Sequence, residues 1–317
     1  MSHIFDALQR AETERSGVEL DAFDLPTELL QITESASNRQ VALSDADTYA
    51  AEVQSVAGDA GVVEESAGAS PALSQQFESL PVTLRPYNKL VSVSEKESLA
   101  AEKFRFLAVR LRNIQQRRPL KQLLITSTMP EEGKSTVAAN LACTLATRKQ
   151  QKILLLEGDL RRPTLFQQFG LSRVTGLSEY LQGVVTASLP VYRLDALGIW
   201  FLPAGRMPQN PLELMQAGKL SPLMDKLKDW FDWIVIDSPP VLPLADTSVW
   251  TRLADGILLV TRQGTTDKEQ LKRGLEAIDS SKLLGALVNS SSNAAQNDYY
   301  QRYGPSAVAA ENNNPAL

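Results

Sequence analysis

The 317-residue chain is 43% apolar with a formal net charge of −5, long enough for one large or two small domains and without the basic excess that would suggest nucleic acid as a partner. Its single histidine, His3, and single cysteine, Cys143, exclude an internal disulfide, a His/Cys metal cluster and a Ser-His-Asp triad, so any catalysis must use carboxylates, lysine, arginine, hydroxyls or a bound cation. No apolar run approaches the roughly 18 residues of a membrane span, and Met1-Ser2-His3-Ile4-Phe5-Asp6 lacks the basic-then-apolar layout of a signal peptide.

Residues 2–14 can form a short helix, capped by Ser2, with Ile4, Leu8 and Ala11 on one face. It is too short to be stable alone. A frayed end and a docking segment that folds on a partner are both open. Between residues 17 and 78, twelve acidic residues stand against one basic residue, Arg39, with no sustained hydrophobic period beyond a transient helix near Thr27–Ile32. Such a segment cannot bury enough apolar surface to offset chain entropy. The expected division is a short helix over 1–15, a disordered acidic linker over 16–79, a folded domain over 80–293 and a flexible tail over 294–317.

Near the start of the folded part, Ser94 and Glu97 have the spacing of a capping box. After them Ala100, Phe104, Leu107, Leu111 and Ile114 recur at helical spacing, predicting a helix of about twenty residues. Its other face carries Lys103, Arg105, Arg110 and Arg112, either as a solvated surface or as a subunit contact.

The centre of the chain is Leu123–Leu145. The apolar run Leu123-Leu124-Ile125 reads as a buried strand. The polar turn Thr126–Glu132 follows, then Gly133-Lys134-Ser135-Thr136, then Val137, Leu141 and Leu145 at helical spacing. Strand, loop, Gly-Lys-Ser and helix form the layout of a phosphate-binding loop, where backbone N–H groups and a helix N-terminus favour an anion. A Gly-Lys-Ser tripeptide alone is common by chance; its place behind an apolar strand is what distinguishes it. The first glycine of the usual pattern is replaced by Thr128. Glu132, Gly133, Lys134, Ser135 and Thr136 are the candidate nucleotide contacts.

Further apolar runs follow at Ile153–Leu156, Ile199–Leu202, Trp233–Ile236, Gly256–Val260 and Leu283–Val288, with helical stretches between them such as Pro211–Ala217, Ser221–Trp230 and Lys268–Ser280. This alternation predicts an α/β fold of P-loop NTPase type: a mostly parallel sheet covered by helices on both faces, with ligands at the carboxyl ends of the strands. The polar clusters at 131–136, 157–161 and 237 all follow strands, so they can converge on one nucleotide.

Phosphoryl transfer demands charge neutralisation and in-line positioning more than covalent chemistry. Lys134 would meet the β- and γ-phosphates of ATP. Ser135 and Asp237, with Asp159 directly or through water, would hold Mg²⁺. Asp159 could alternatively orient or deprotonate an attacking hydroxyl, and Arg161 could stabilise developing charge or bond a neighbour. An aspartate behind a strand is by itself often only a turn former or helix cap. Arg262 and Asn289, at the ends of the last two strands, are candidates for the nucleoside.

The strands ending in ILLLEGDLRRP (153–163) and WIVIDSPP (233–240), together with PAGRMPQNPLELM (203–215), resemble the Walker A-prime and Walker B motifs and a further conserved stretch of the bacterial tyrosine kinases, the BY-kinases of capsule and exopolysaccharide export. The resemblance covers roughly 80–305. It implies an ATP-dependent protein-tyrosine kinase that autophosphorylates a C-terminal cluster, here Tyr299, Tyr300 and Tyr303, between subunits of a homo-oligomeric ring. It also implies a cytoplasmic chain held at the inner face of the membrane by a membrane-anchored co-polymerase or activator. Four departures stand out. Glu131 occupies a glycine position of the loop, Glu157 replaces the first aspartate of the Walker A-prime pair, and Ala108 replaces the last arginine of the ring-joining E-x-x-R-x-x-R motif. The tyrosine cluster is also short. Met129, by contrast, stands where the MinD/ParA partitioning ATPases carry a second lysine, which favours the kinase branch. The alternatives are a MinD/ParA-like ATPase switch and a regulatory subunit that binds nucleotide without catalysis.

Overall fold

The structure, a computed structural model, describes residues 77–84, 89–148, 150–185 and 188–289. The expected N-terminal helix, nearly all of the acidic linker and the tyrosine cluster lie outside the described residues. In chain order the elements are α1 (Val91–Ser94), α2 (Leu99–Arg117), β1 (Gln122–Ser127), α3 (Lys134–Leu145), β2 (Ile153–Glu157), α4 (Leu165–Gln168), α5 (Leu177–Gln182), β3 (Tyr192–Leu194), β4 (Ile199–Leu202), α6 (Pro211–Gln216), α7 (Leu220–Trp230), β5 (Trp233–Asp237), α8 (Asp246–Leu253), β6 (Gly256–Arg262), α9 (Lys268–Glu276) and β7 (Leu283–Asn289).

The strands form one seven-stranded sheet in the order β3-β4-β2-β5-β1-β6-β7. Every pairing is parallel except β3 with β4, which is antiparallel. Strands β1, β2 and β5 are buried along their whole length, as their unbroken apolar runs require of a sheet covered on both sides. Alternate residues feed two cores. Leu123, Ile125, Leu155, Val235 and Val260 pack under α2 and α3; Leu124, Leu154, Ile234, Ile236 and Leu259 pack under α7 and α8. Helix α3 lies between the sheet and α2, and it is buried on nearly every side. Its run of alanines lets the backbones approach closely.

β1 has β5 on one side and β6 on the other. The chain winds from β1 first toward β2, β4 and β3 and later toward β6 and β7, so β1 is the point where the strand order reverses. In open parallel sheets that is where ligands bind. Register then aligns three strand ends: Ile125 pairs with Asp237, and Asp237 pairs with Glu157.

Two expectations need correction. Ser94 does not cap the long helix. It closes α1 instead, its hydroxyl donating to the Leu90 carbonyl at 3.0 Å, and Ser98 caps α2 by accepting from the Ala101 N–H at 3.1 Å. Both serines had plausible partners, and the short helix before α2 takes the first. The expected stripe otherwise holds: Leu107 and Leu111 are buried and Phe104 and Ile114 pack partly buried against the same core, whereas Ala100 is exposed and Ala101 and Ala108 are buried beside them. Ala108 is fully buried, and that position has no room for an arginine without displacing the core. The edge strand β3 and helix α8 were not anticipated. β3 is covered in turn by the first described residues: Arg193 exchanges hydrogen bonds with Glu78 and Leu80 at 2.8 and 2.9 Å.

Candidate active site

The phosphate-binding loop leaves β1 at Ser127 and enters α3 at Lys134. Gly133 adopts φ +93°, and a Cβ there would stand 2.1 Å from Asn289 Nδ2, so only glycine fits. Glu131 is also left-handed, at φ +67°, although it is not glycine. Side chains from neighbouring elements hold the loop. Glu132 is buried; its Oε2 accepts from the Met129 N–H at 2.7 Å and its Oε1 accepts from the Thr266 hydroxyl. Asn289 Nδ2 donates to the Glu132 carbonyl at 2.9 Å, and Arg262 Nη1 lies 3.5 Å from the Glu131 carbonyl. Thr128, standing in for the first glycine, packs against Gly274 of α9, where a Cβ would come within 3.0 Å of its side chain. The absent side chain at 274 makes room for the one at 128.

At the mouth of the loop, Lys134 Nζ lies 3.1 Å from Asp159 Oδ2, 3.7 Å from Asp237 Oδ1 and 3.3 Å from Ser135 Oγ. Both aspartates are almost fully buried. Burial pulls the Lys134 ammonium down, but Asp237, Asp159 and Glu157 together outweigh it, so the lysine is held above its ordinary range and stays charged. Burial pushes the Asp237 carboxyl up, against the pull of Lys134 and a hydrogen bond from Ser135. Asp237 Oδ1 has no hydrogen-bond partner among the described residues. An orphaned buried carboxylate oxygen beside a serine hydroxyl and a second carboxylate suits a hard, oxygen-seeking dication such as Mg²⁺, which needs only one or two protein ligands alongside phosphate oxygens.

The loop after β2 carries Asp159. Gly158 precedes it, donating its N–H to the Asp237 carbonyl at 2.7 Å and accepting from Trp250 Nε1 at 3.1 Å. A Cβ at Gly158 would stand 2.8 Å from the Trp250 ring, so this glycine permits the close approach. Asp159 Oδ1 accepts from the Arg161 and Arg162 N–H groups at 3.2 and 3.0 Å, leaving Oδ2 for Lys134. Arg161 itself makes a two-pronged ion pair with Asp246 at the start of α8, at 2.6 and 3.1 Å.

Glu157, fully buried, makes no ion pair with Lys134 and acts on it only at longer range. Its Oε1 accepts from the Leu165 N–H at 2.6 Å and its Oε2 from the Ala204 N–H at 3.1 Å. Burial pushes its carboxyl up to about 7 while the backbone N–H groups of Ala204, Leu165 and Thr164 pull it down. Beyond it, Glu179 ties the N-terminus of α5 to the turn after β4, accepting from Gly176 at 2.9 Å and from Arg206 at 3.0 Å.

Among the sequence candidates, Lys134, Ser135, Asp159 and Asp237 thus gather at one point. Gly133 and Thr136 flank them. The Glu132 side chain, Asn289 and Arg262 bind the loop's own backbone, and Arg161 turns to Asp246. Asp246, Glu179 and Thr266 were missed. Only Glu179 carried a signal, standing three residues after Gly176 as in a capping box.

No family model matches the chain. It is 33% identical to the tyrosine-protein kinase YwqD of Bacillus subtilis over 217 residues, 68% of this chain and 91% of that protein. It is 32% identical to the putative tyrosine-protein kinase CapB of Staphylococcus aureus, over 66% of this chain and 92% of that one. The kinase domain of the Escherichia coli tyrosine kinase ETK superposes with a TM-score of 0.60 at 27% identity, covering 65% of this chain and 82% of that one.

Proposed function

Since the chain belongs to the bacterial tyrosine-protein kinase family, we propose that it transfers the γ-phosphoryl group of ATP to tyrosine, with Mg²⁺ as cofactor, and that its own tail is one acceptor. The observation that carries this reading is Lys134 Nζ set between Asp159 and Asp237 at the mouth of the phosphate-binding loop. A bound Mg²⁺ would neutralise phosphate charge. The loop N–H groups from Gly133 to Thr136 bind the phosphates. Lys134 would stay protonated against the γ-phosphoryl oxygens, and Ser135 Oγ and Asp237 would hold the cation. Asp159 orients the acceptor hydroxyl and takes its proton. Arg161 completes the wall of the site through its pair with Asp246, and Arg262 and Asn289 border the nucleoside.

The family resemblance supports the rest of the proposal. Tyr299, Tyr300 and Tyr303 are the acceptors, presented between subunits of a ring. A membrane-anchored activator or co-polymerase holds the chain at the inner face of the membrane, where phosphorylation regulates capsule or exopolysaccharide polymerisation and export. Among the described residues no helix is long and apolar enough to cross a membrane. Residues 80–293 form the kinase domain in this scheme, preceded by a linker and followed by the acceptor tail.

The purified chain incubated with γ-labelled ATP and Mg²⁺ decides it. Label on Tyr299, Tyr300 or Tyr303, absent from the triple Tyr→Phe variant, is expected. Free phosphate without protein label would instead mark an ATPase switch, and tight nucleotide binding with neither would mark a regulatory subunit.

A further inference from the structure

Glu157 sits where the resemblance places the first of two acidic groups serving the phosphates, yet its carboxylate does something else. The loop that carries Asp159 runs from the end of β2 to the start of α4. Glu157 stands at its first residue and accepts the N–H of Leu165 at its last, at 2.6 Å. One side chain therefore closes the loop into a ring. Its second oxygen takes the N–H of Ala204, in the turn after β4, at 3.1 Å. That turn is locked in its own right: the Leu177 and Ser178 N–H groups donate to the Pro203 and Ala204 carbonyls at 2.8 and 2.9 Å. The Asp159 loop is thus fastened to a fixed ledge. At its other side Gly158 donates to the Asp237 carbonyl, which fastens it to β5. Nothing in this arrangement directs Glu157 at Lys134, and both of its oxygens are occupied.

We propose that Glu157 is a positioning residue for phosphoryl transfer, closing the Asp159 loop and tying it to the turn after β4 so that Asp159 Oδ2 is held against Lys134. The proposal rests on the reading of Asp159 as the acceptor-facing carboxylate. The length of the side chain is the functional property. Aspartate is shorter by one carbon–carbon bond, roughly 1.5 Å. Retreat by that much takes both bonds beyond hydrogen-bond range. Displacement of a reacting group by about 1 Å costs on the order of 100-fold in rate.

The test exploits opposite orderings of two variants. Glu157→Gln keeps the length and one acceptor oxygen but loses the charge; Glu157→Asp keeps the charge but loses the reach. Positioning predicts that Glu157→Asp loses about 100-fold in kcat and Glu157→Gln about 10-fold, with KM for ATP unchanged in both because Lys134 and Ser135 do not move. A direct catalytic or cation-holding role predicts the reverse order. Amide hydrogen exchange supplies the second measurement. In Glu157→Asp the Leu165 and Ala204 amides should both lose protection by at least about tenfold while the centres of β1 and β5 keep theirs. An aspartate variant as active as the wild type, or more active than the glutamine variant, overturns the proposal, and so does unchanged protection of those two amides. Wild-type protein without any tyrosine phosphorylation would remove the proposed function instead, and amide exchange would still decide whether Glu157 is the clasp.

Discussion

Two pairs of buried carboxylates stand along the same edge of the sheet and are neutralised in different ways. Asp159 and Asp237 share one cation, the Lys134 ammonium, and leave the Asp237 Oδ1 atom without a hydrogen bond among the described residues. Glu157 and Glu179 are comparably buried, but each accepts two backbone N–H groups and meets no lysine or arginine within ion-pair distance among the described residues. A buried charge is costly unless paired and hydrogen-bonded. The glutamates meet that condition with the chain itself, so the fold depends on them. The aspartates meet it only in part, and two negative charges against one positive leave a place for a cation and a substrate. Depth does not separate the two pairs; their partners do.

The largest effect that would sharpen this contrast comes from removing the shared cation. Lys134→Ala should reduce phosphoryl transfer by about 10²–10³-fold, since a charged donor aimed at developing phosphate charge is lost. Far-ultraviolet circular dichroism should stay unchanged, because the strand ladders and the two apolar cores hold the sheet and do not include the lysine. Transfer at the wild-type rate would end the assignment of the aspartate pair to chemistry.

The glutamate pair should respond the other way. Glu179→Ala leaves the Gly176 and Arg206 N–H groups without their acceptor and should lower unfolding free energy by about 2–4 kcal/mol in a denaturant titration. At a temperature where the variant is folded, kcat should remain within about threefold of the wild type. Loss of activity at unchanged stability would show that Glu179 belongs with the aspartates.

The difference between the pairs also marks how much of the molecule was legible in its sequence. β1, β2 and β5 announced themselves as continuous apolar runs, and parallel packing was the natural consequence. Lys134, Ser135, Asp159 and Asp237 could be assigned because each lies next to a strand end or within the loop motif, where sequence position alone fixes spatial position. Glu157 was read as a displaced copy of an aspartate because the identity of its partners, Leu165 and Ala204, depends on how β4 sits beside β2. Arg161 was left open between developing charge and a neighbour for the same reason: the neighbour it pairs with, Asp246, lies 85 positions away. The three-residue β3 and the one-turn α1 were missed because such short segments carry no measurable period; their places are set by the edge they cover and by the cap they share with α2.

The smallest effect concerns the loop itself. Glu131 holds a left-handed conformation at φ +67°, in a position where the related kinases are expected to carry glycine. For an L-residue that conformation costs roughly 1–2 kcal/mol. Glycine removes the cost but gives back about 0.5–1 kcal/mol through the greater freedom of the unfolded chain. The Glu131 side chain is exposed, so little packing is lost with it. Glu131→Gly should therefore raise stability by about 0.5–1 kcal/mol, seen as a higher denaturant midpoint with the same m-value. Gly133→Ala is the matched control. Its φ of +93° and the Asn289 amide 2.1 Å from the new Cβ demand a rearrangement of the loop, so it should lose both stability and ATP binding. If Glu131→Gly proves less stable than the wild type, the Glu131 side chain has a contact that outweighs its backbone strain, and the loop is held from its exposed side as well as by Glu132, Asn289 and Arg262.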